Sequence, residues 1–492
     1  MNSLRQLISQ TAIYGLSSIV GRFLNYLLVP LYTYTFSAGE YGVVSEFYAY
    51  AGFFAVLLIF GLETGYFRFR QKPEYATEAV YSSGLSFLML INLLFVAAIF
   101  YWQQPLAAAL HYPDHPEYLL WFACILALDA MTALPFARLR AENQAWRFAG
   151  IRLTEIFITI ALNLFFLLLC PKLMALYPDS IIADIYDPNL GVGYIFLSNL
   201  AASVCKLLLL LPQFRAVSLE LNLTILGPMW RYSLPMVIIG FAGMTNEMLD
   251  RAILKVMLPY DLPTNMKMLG IYGACYKLSI LMSLFVQAFR YAGEPFFFSY
   301  AGRADAKRAY ALVMQYFVIA GVFIFLLVML YIDLFKYFIG EEFRAGLSVV
   351  PILLLANLCL GIYVNLSVWY KLSDRTGLGA WVSLAGAAIT VVLNIYWIPL
   401  WGYVGSAWAT LACYGFMVVL SWLLGQRYYP VSYPLGKIFA YIGLGLALYF
   451  GNQYLLQNYQ WNVWLSGTLG LLLYMLAVAV FDLRPLLRRT SR

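Results

Sequence analysis

The sequence predicts an all-α membrane protein of about fourteen transmembrane helices, and three observations carry that expectation. Of 492 residues, 63% are hydrophobic and 17% aromatic, while only 11% are charged. A soluble chain carries roughly 25% charged residues, so this one lacks the polar surface that a water-facing fold needs. Apolar runs of about 18 residues or more recur along the chain, each long enough to cross hydrocarbon as a helix. Lys and Arg collect in alternate connections between those runs. That sorting accounts for the net charge of +7, which is therefore not read as nucleic-acid binding.

In chain order the spanning segments are approximately 8–34, 41–66, 79–102, 117–137, 148–170, 191–212 and 232–257, then 270–297, 310–337, 346–370, 379–400, 403–425, 437–456 and 463–482. The first is too long for a cleavable signal and lacks a small-residue cleavage site, so none is expected. The connections are short and leave no room for a soluble domain. Those assigned to the cytoplasm hold Arg68, Arg70, Lys72, Arg138, Arg140, Arg147, Arg152, Arg215 and Arg231. Further along they hold Arg303, Lys307, Arg308, Lys371, Arg375, Arg427 and Lys437. Arg5 and the tail residues Arg484, Arg488, Arg489 and Arg492 bring the number to 21, against Lys172, Lys267, Lys336 and Arg344 on the other side. This bias places both termini in the cytoplasm and requires an even number of spans. Tyr and Trp crowd the segment ends, as an interfacial belt does.

The chain also repeats itself weakly. A shift of 231 residues brings Tyr41-Gly42 onto Tyr272-Gly273, Glu63 onto Glu294 and Phe67 onto Phe298. The same shift brings Arg140 onto Lys371 and Leu162-Asn163 onto Leu393-Asn394. One ungapped offset linking segments two to five with eight to eleven predicts two six-helix lobes. An even number of helices makes them parallel repeats about an axis along the membrane normal. The division expected is 1–214 and 215–428 for the lobes, with 429–492 adding two helices and a basic tail. Two lobes with a cleft between them point to transport rather than catalysis.

A charge at the centre of a spanning helix costs roughly 2.5–3.5 kcal/mol, so such residues must face a partner, a wet cavity or a ligand. Arg22 is mid-segment with no acidic residue within reach on its own helix, and a guanidinium does not shed its proton. Arg251 occupies a nearly equivalent place in the second lobe. Asn246, Glu247, Asp250 and Arg251 share one helical face, where Glu247 and Arg251 are spaced for an (i, i+4) ion pair. Either that pair satisfies itself, or Glu247 and Asp250 serve gating or coupling. Lys277 and Arg290, thirteen residues apart on segment eight, are candidate cavity cations. Lys206 is expected to snorkel to the interface. Asp129 and Glu155 either counter these cations or couple an ion. Pro30, Pro135, Pro235, Pro295, Pro351 and Pro399 lie in or at the ends of spans, where they permit kinks.

Other chemistries find little support. The cysteines (Cys124, Cys170, Cys205, Cys275, Cys359, Cys413) lie in or beside spans, so neither disulfides nor a metal site is expected. His111 and His115 share a polar loop without a ligand cluster around them. No phosphate-binding loop, dinucleotide fingerprint or nucleophile elbow occurs, and no cofactor is expected. Asp179, Asp184 and Asp187 in the longest outer loop read as solvated carboxylates.

Several stretches together resemble the polysaccharide-type flippases of the multidrug/oligosaccharidyl-lipid/polysaccharide (MOP) exporter superfamily. They are GRFLNYLLVPLYTYTFSAGEYG (21–42), LPFARLRAENQAWRFA (134–149), RYSLP…LDRAIL (231–254), LGIYGACYKLS (269–279) and LNIYWIPLWGYVGSAWAT (393–410). The resemblance implies two six-helix lobes plus two helices in a bacterial inner membrane. It also implies a non-enzymatic flippase moving an undecaprenyl-diphosphate-linked oligosaccharide between leaflets for surface polysaccharide such as O-antigen or capsule. Partners would be that lipid-linked oligosaccharide, membrane lipids and other glycan-assembly proteins, with no nucleic acid. Related flippases bind the diphosphate with cations on the first helices of each lobe. Arg22, Arg251 and Arg290 match by position, the first two within stretches that align well. Alternatives are a Na⁺- or H⁺-coupled multidrug exporter, whose carboxylate motif is not matched here, a membrane-bound glycan polymerase or transferase, and a non-transporting scaffold.

Overall fold

The computed structural model describes residues 15, 17, 19–179, 181–215, 220–459 and 461–483. Every regular element among them is helical. The first helix, α1, runs from 19 to 35 with a turn at Leu27; the amino-terminal part of the expected first segment and the basic carboxyl-terminal tail lie outside the described residues. Spans of the first half are α2 (Ala38–Phe69), α3 (Thr77–Ala109), α4 (Glu117–Ala141), α5 (Ala145–Leu176), α6 (Gly193–Phe214) and α7 (Leu223–Met257). In the second half, α8 is a bent pair, Leu262–Leu278 and Ile280–Tyr300, followed by α9 (Ala306–Leu330) and α10 (Glu341–Leu372). The 53-residue helix Thr376–Tyr428 comprises α11 and α12, because Gly402 has φ 61° and breaks it. The last two are α13 (Leu435–Tyr459) and α14 (Val463–Asp482). Among the described residues, eleven helices are long and apolar enough to cross a membrane, or twelve if the bent pair of α8 is one span, and the break at Gly402 divides the longest of them.

Local chemistry sets the helix ends. Ser37 and Glu40 form a capping box at the start of α2: Ser37 Oγ accepts from the Glu40 N–H, and the Ser37 N–H donates to Glu40 Oε2 at 2.8 Å. The two bonds satisfy donors that a helix start otherwise leaves open. Near its other end α2 is interrupted where Phe60 and Gly61 both take left-handed backbone (φ 56° and 65°). Asp261 caps α8, accepting from Thr264 Oγ1 at 2.7 Å and from the Thr264 N–H. These bonds hold its carboxyl below the usual range. The two parts of α8 meet at Ser279 with a bend of 51°. There Ser279 Oγ donates to the Tyr276 carbonyl and accepts from Asn357 Nδ2 of α10. The helix break is thus stabilised by groups that find new partners.

The chain forms two compact units, 1–252 and 253–492. In the first, Leu62, Tyr66, Leu85, Leu88, Leu134, Leu226 and Met229 pack together, so the beginning of α7 closes the core of α2, α3 and α4. In the second, Ala356, Tyr363, Val382, Cys413 and Met417 join α10 to the α11–α12 hairpin. α13 and α14 dock on α9, where Tyr474 donates to the Ile319 carbonyl at 3.0 Å. Lipid tails are as apolar as these side chains, so close packing and interhelical hydrogen bonds hold them rather than exclusion of water.

The repeat reappears as chemistry. Arg140 Nη2 donates to Glu63 Oε2 at 2.7 Å in the first unit, and Lys371 Nζ to Glu294 Oε1 at 2.6 Å in the second. Both pairs join residues 77 positions apart. Asn163 and Asn394, each fully buried, donate back to the carbonyls of Thr159 and Thr390 at 2.7 and 2.8 Å. Positions related by the 231-residue shift therefore make the same two contacts in each half.

The α11–α12 corner depends on close backbone approach. A Cβ on Gly405 would lie 2.3 Å from the Trp397 carbonyl oxygen, whereas one on Gly415 would meet nothing within 4 Å. Overpacking of this kind costs about 1–3 kcal/mol. Gly405→Ala should therefore lower the thermal unfolding midpoint of the purified protein, and Gly415→Ala should leave it in place.

Candidate functional site

Inside the first unit, three helices converge on a buried ammonium. Lys206 lies on α6 with its side chain 1% exposed. Its Nζ is 2.5 Å from Asp129 Oδ1 of α4 and 2.6 Å from Glu155 Oε1 of α5. Both α5 and α6 contribute two groups three residues apart, which the helical repeat puts on one face. From α6, Ser203 also donates to Asp129 Oδ1, at 2.8 Å. From α5, Arg152 reaches Glu155 Oε2 at 3.2 Å and stacks its guanidinium on Phe136 at 4.2 Å. Two cations face two anions, so the cluster is formally neutral. Lys206 therefore does not snorkel as expected. Two carboxylates within reach offer a buried ammonium more than the distant interface does, because unpaired charge in a low-dielectric interior is the costlier state. Asp129 is about half exposed, at 48%, while Glu155 is 17% exposed. Asp129 is thus the less enclosed of the two carboxylates that hold Lys206.

The second set lies on α7. Arg251 is buried, its backbone N–H bonded to Asp250 Oδ1 at 2.8 Å and its Nη1 2.9 Å from Met248 Sδ. Its Nε stands 3.9 Å from the same Asp250 oxygen. Asn246 and Asp250 are buried with it, but Glu247 is exposed. The (i, i+4) pair expected between Glu247 and Arg251 does not form, because Arg251 turns inward to Asp250 and Met248.

Of the remaining candidates, Arg22 is exposed on α1, and among the described residues it forms no ion pair. Lys277 is half-buried just before the α8 bend. Arg290 is exposed beyond that bend, 3.5 Å from Glu294, which also receives Lys371. The bend therefore separates Lys277 from Arg290. In the outer loop, Asp187 caps a short helical turn by accepting from the Asn189 N–H, a structural task. His115 pairs with Glu117 at 2.9 Å and stacks on Tyr118. Among the described residues no group of three or more His, Cys, Asp or Glu is placed to hold a metal ion.

Among the buried charges that the sequence reading passed over is one on each of α2 and α7. Glu46 on α2 is fully buried and accepts from the hydroxyls of Tyr50, at 2.7 Å, and Tyr112. Lys255 is buried one turn beyond Arg251. A signal existed for both, since each is a charge set in an apolar run.

Removing the central ammonium tests the cluster. Breaking a buried pair from one side costs about 3–5 kcal/mol. Lys206→Met should therefore lower the thermal unfolding midpoint sharply. Asp129→Asn should do so less, its carboxylate being half screened by solvent. Adding Glu155→Gln to Lys206→Met should recover part of the loss.

No protein-family model matches this chain, and no curated protein sequence is similar enough to count as a relative. Solved structures do match. The inward closed conformation of the lipid II flippase MurJ superposes with a TM-score of 0.69 at 14% identity, covering 98% of this chain and 100% of that one. An inward-facing multidrug resistance MATE family transporter of the MOP superfamily gives 0.63 at 12% identity, covering 82% of this chain and 93% of that one. The MATE multidrug transporter DinF-BH gives 0.59 at 15% identity, covering 87% of this chain and 96% of that one. The chain therefore shares its all-α fold with the lipid II flippase MurJ and with MATE multidrug transporters.

Proposed function

We propose that this protein is a flippase for a lipid-linked oligosaccharide in the bacterial inner membrane. The observation that carries the reading is coverage: the lipid II flippase matches 98% of this chain, while the two multidrug transporters match 82% and 87%. The buried charges lend support. The carboxylates best placed for a coupling role, Asp129 and Glu155, are already engaged by Lys206. Arg22 is an exposed cation within a span that forms no ion pair among the described residues, and an Arg in such a place calls for a wet, anion-holding face.

In this reading the lobes are 1–214 and 215–428, with 429–492 as an appendix and both termini in the cytoplasm. The cations proposed to bind the diphosphate of an undecaprenyl-diphosphate-linked glycan are Arg22, Arg251, Lys277 and Arg290, while the polyprenyl tail stays in lipid. The lobes then open alternately to each side. Moving a dianion out of a negative cytoplasm releases about 4.6 kcal/mol at 100 mV, from roughly 2.3 per charge. The membrane potential is therefore a sufficient drive. Release of Asp129 or Glu155 from Lys206, or ion exchange at Glu247 or Asp250, would add coupling. The product feeds surface-polysaccharide assembly, alongside the proteins that build and polymerise the glycan.

Depletion of the protein should trap lipid-linked glycan on the cytoplasmic leaflet, measured by its accessibility to a membrane-impermeant reagent. Normal outer-leaflet appearance, with no redundant flippase present, would sink the reading and favour drug export. Within a working flippase, Arg22→Ala should abolish transport and Arg22→Lys should retain a substantial part, since the role is charge binding. Full activity in both variants would remove Arg22 from the site.

A further inference from the structure

The carboxyl-terminal end of α2 and the beginning of α7 enclose a pocket of about 610 Å³, lined in part by Arg68, Lys72, Arg231, Phe69 and Tyr232. The helices touch just before it. A Cβ on Gly65 would stand 2.8 Å from Ser233 Oγ, and one on Gly61 would stand 3.1 Å from the Ser233 carbonyl oxygen. One turn further along α2, the contact gives way to a hollow with three cations around it. Buried Phe69 forms the floor, with the Tyr232 ring 6.2 Å away and Lys72 Nζ 4.6 Å above the Phe69 ring.

Counting Lys and Arg along the chain treats these cations as topology signals. Their surroundings say more. Of the acidic residues at this end of the first unit, Glu63 is engaged by Arg140, and Glu78 and Glu142 by Arg138, while Glu74 and Glu220 are exposed in the connections before α3 and α7. Among the described residues no carboxylate stands within ion-pair distance of Arg68, Lys72 or Arg231. Three like charges around one hollow repel one another, and an anion relieves that repulsion. The shape of α7 selects the kind of anion. Gly227, Arg231, Leu234 and Ile238 fall on one helical stripe, with Leu234 53% and Ile238 49% exposed. An uncovered apolar strip thus leads away from a cationic pocket, which matches an anionic head joined to a hydrocarbon chain.

We propose that Arg68, Lys72 and Arg231 form a docking site for the diphosphate head of a lipid, whose chain lies along Leu234 and Ile238. Three cations match the two charges of a diphosphate diester better than the single charge of a bilayer phosphodiester. The site is separate from Arg22, Arg251, Lys277 and Arg290, and serves as a first holding point at the membrane surface. Its assignment to the substrate rests on the flippase reading, but its affinity for a lipid diphosphate does not.

The test is direct binding to the full-length protein in phosphatidylcholine nanodiscs. Farnesyl diphosphate, phosphatidylglycerol and inorganic pyrophosphate are the separate probes. The Arg68→Gln/Lys72→Gln/Arg231→Gln variant should bind farnesyl diphosphate at least about tenfold more weakly, from three modest charge contributions. Arg231→Gln alone should weaken it several-fold and Arg231→Lys little, which keeps the test open should the triple variant fail to fold. Equal affinity in wild type and variants overturns the site. Pyrophosphate binding as tightly as farnesyl diphosphate overturns the lipid assignment, and tighter binding of phosphatidylglycerol overturns the diphosphate. Lost binding in the triple variant together with normal glycan flipping in depleted cells would leave the site standing and remove the flippase reading instead.

Discussion

A charge within a membrane-spanning helix must find a partner, a wet cavity or a ligand, because hydrocarbon offers no counter-charge. Much of this architecture follows from that constraint. Lys206 holds α4, α5 and α6 together by bonding to Asp129 and Glu155. Glu63 and Arg140 tie α2 to α4, and Glu294 and Lys371 tie α8 to α10. Lys437 and Asp482 join α13 to α14. Apolar contacts alone leave helices in lipid free to slide, since a neighbouring helix and a lipid tail offer similar surfaces. Ion pairs fix register and partner, and packing then fills the space between.

Against that background the unneutralised cations gain meaning. Where the chain closes its own charges, the site is structural first, as at Lys206. Where cations gather without an ion-paired carboxylate, around the mouth between α2 and α7, the proposed lipid diphosphate would complete the arrangement.

Much of the fold was legible because hydrophobic run length is a strong signal; the segment expected at 117–137 is the helix Glu117–Ala141. The repeat was legible because Glu63, Arg140, Glu294 and Lys371 kept both charge and spacing. The candidate site was less so. Lys206 meets partners 77 and 51 residues away, and no local pattern announces such contacts. Glu247 and Arg251 had ideal helical spacing, yet tertiary burial turned the arginine toward Asp250. Arg68, Lys72 and Arg231 were visible singly, but only the meeting of two distant helices makes them a pocket.

The two equivalent ion pairs have a consequence for how this chain can vary. Each joins residues separated by the same interval of 77, although one half uses arginine and the other lysine. The cation has changed while the interval has not. Residue identity at such a place can drift so long as charge sign survives, but a single residue inserted within the second helix, ahead of the partner, would rotate that partner by about 100° and part the pair. Chain length between the contacts is therefore the stricter inheritance. It acts as a ruler, preserved in both halves after most of the letters around it have diverged.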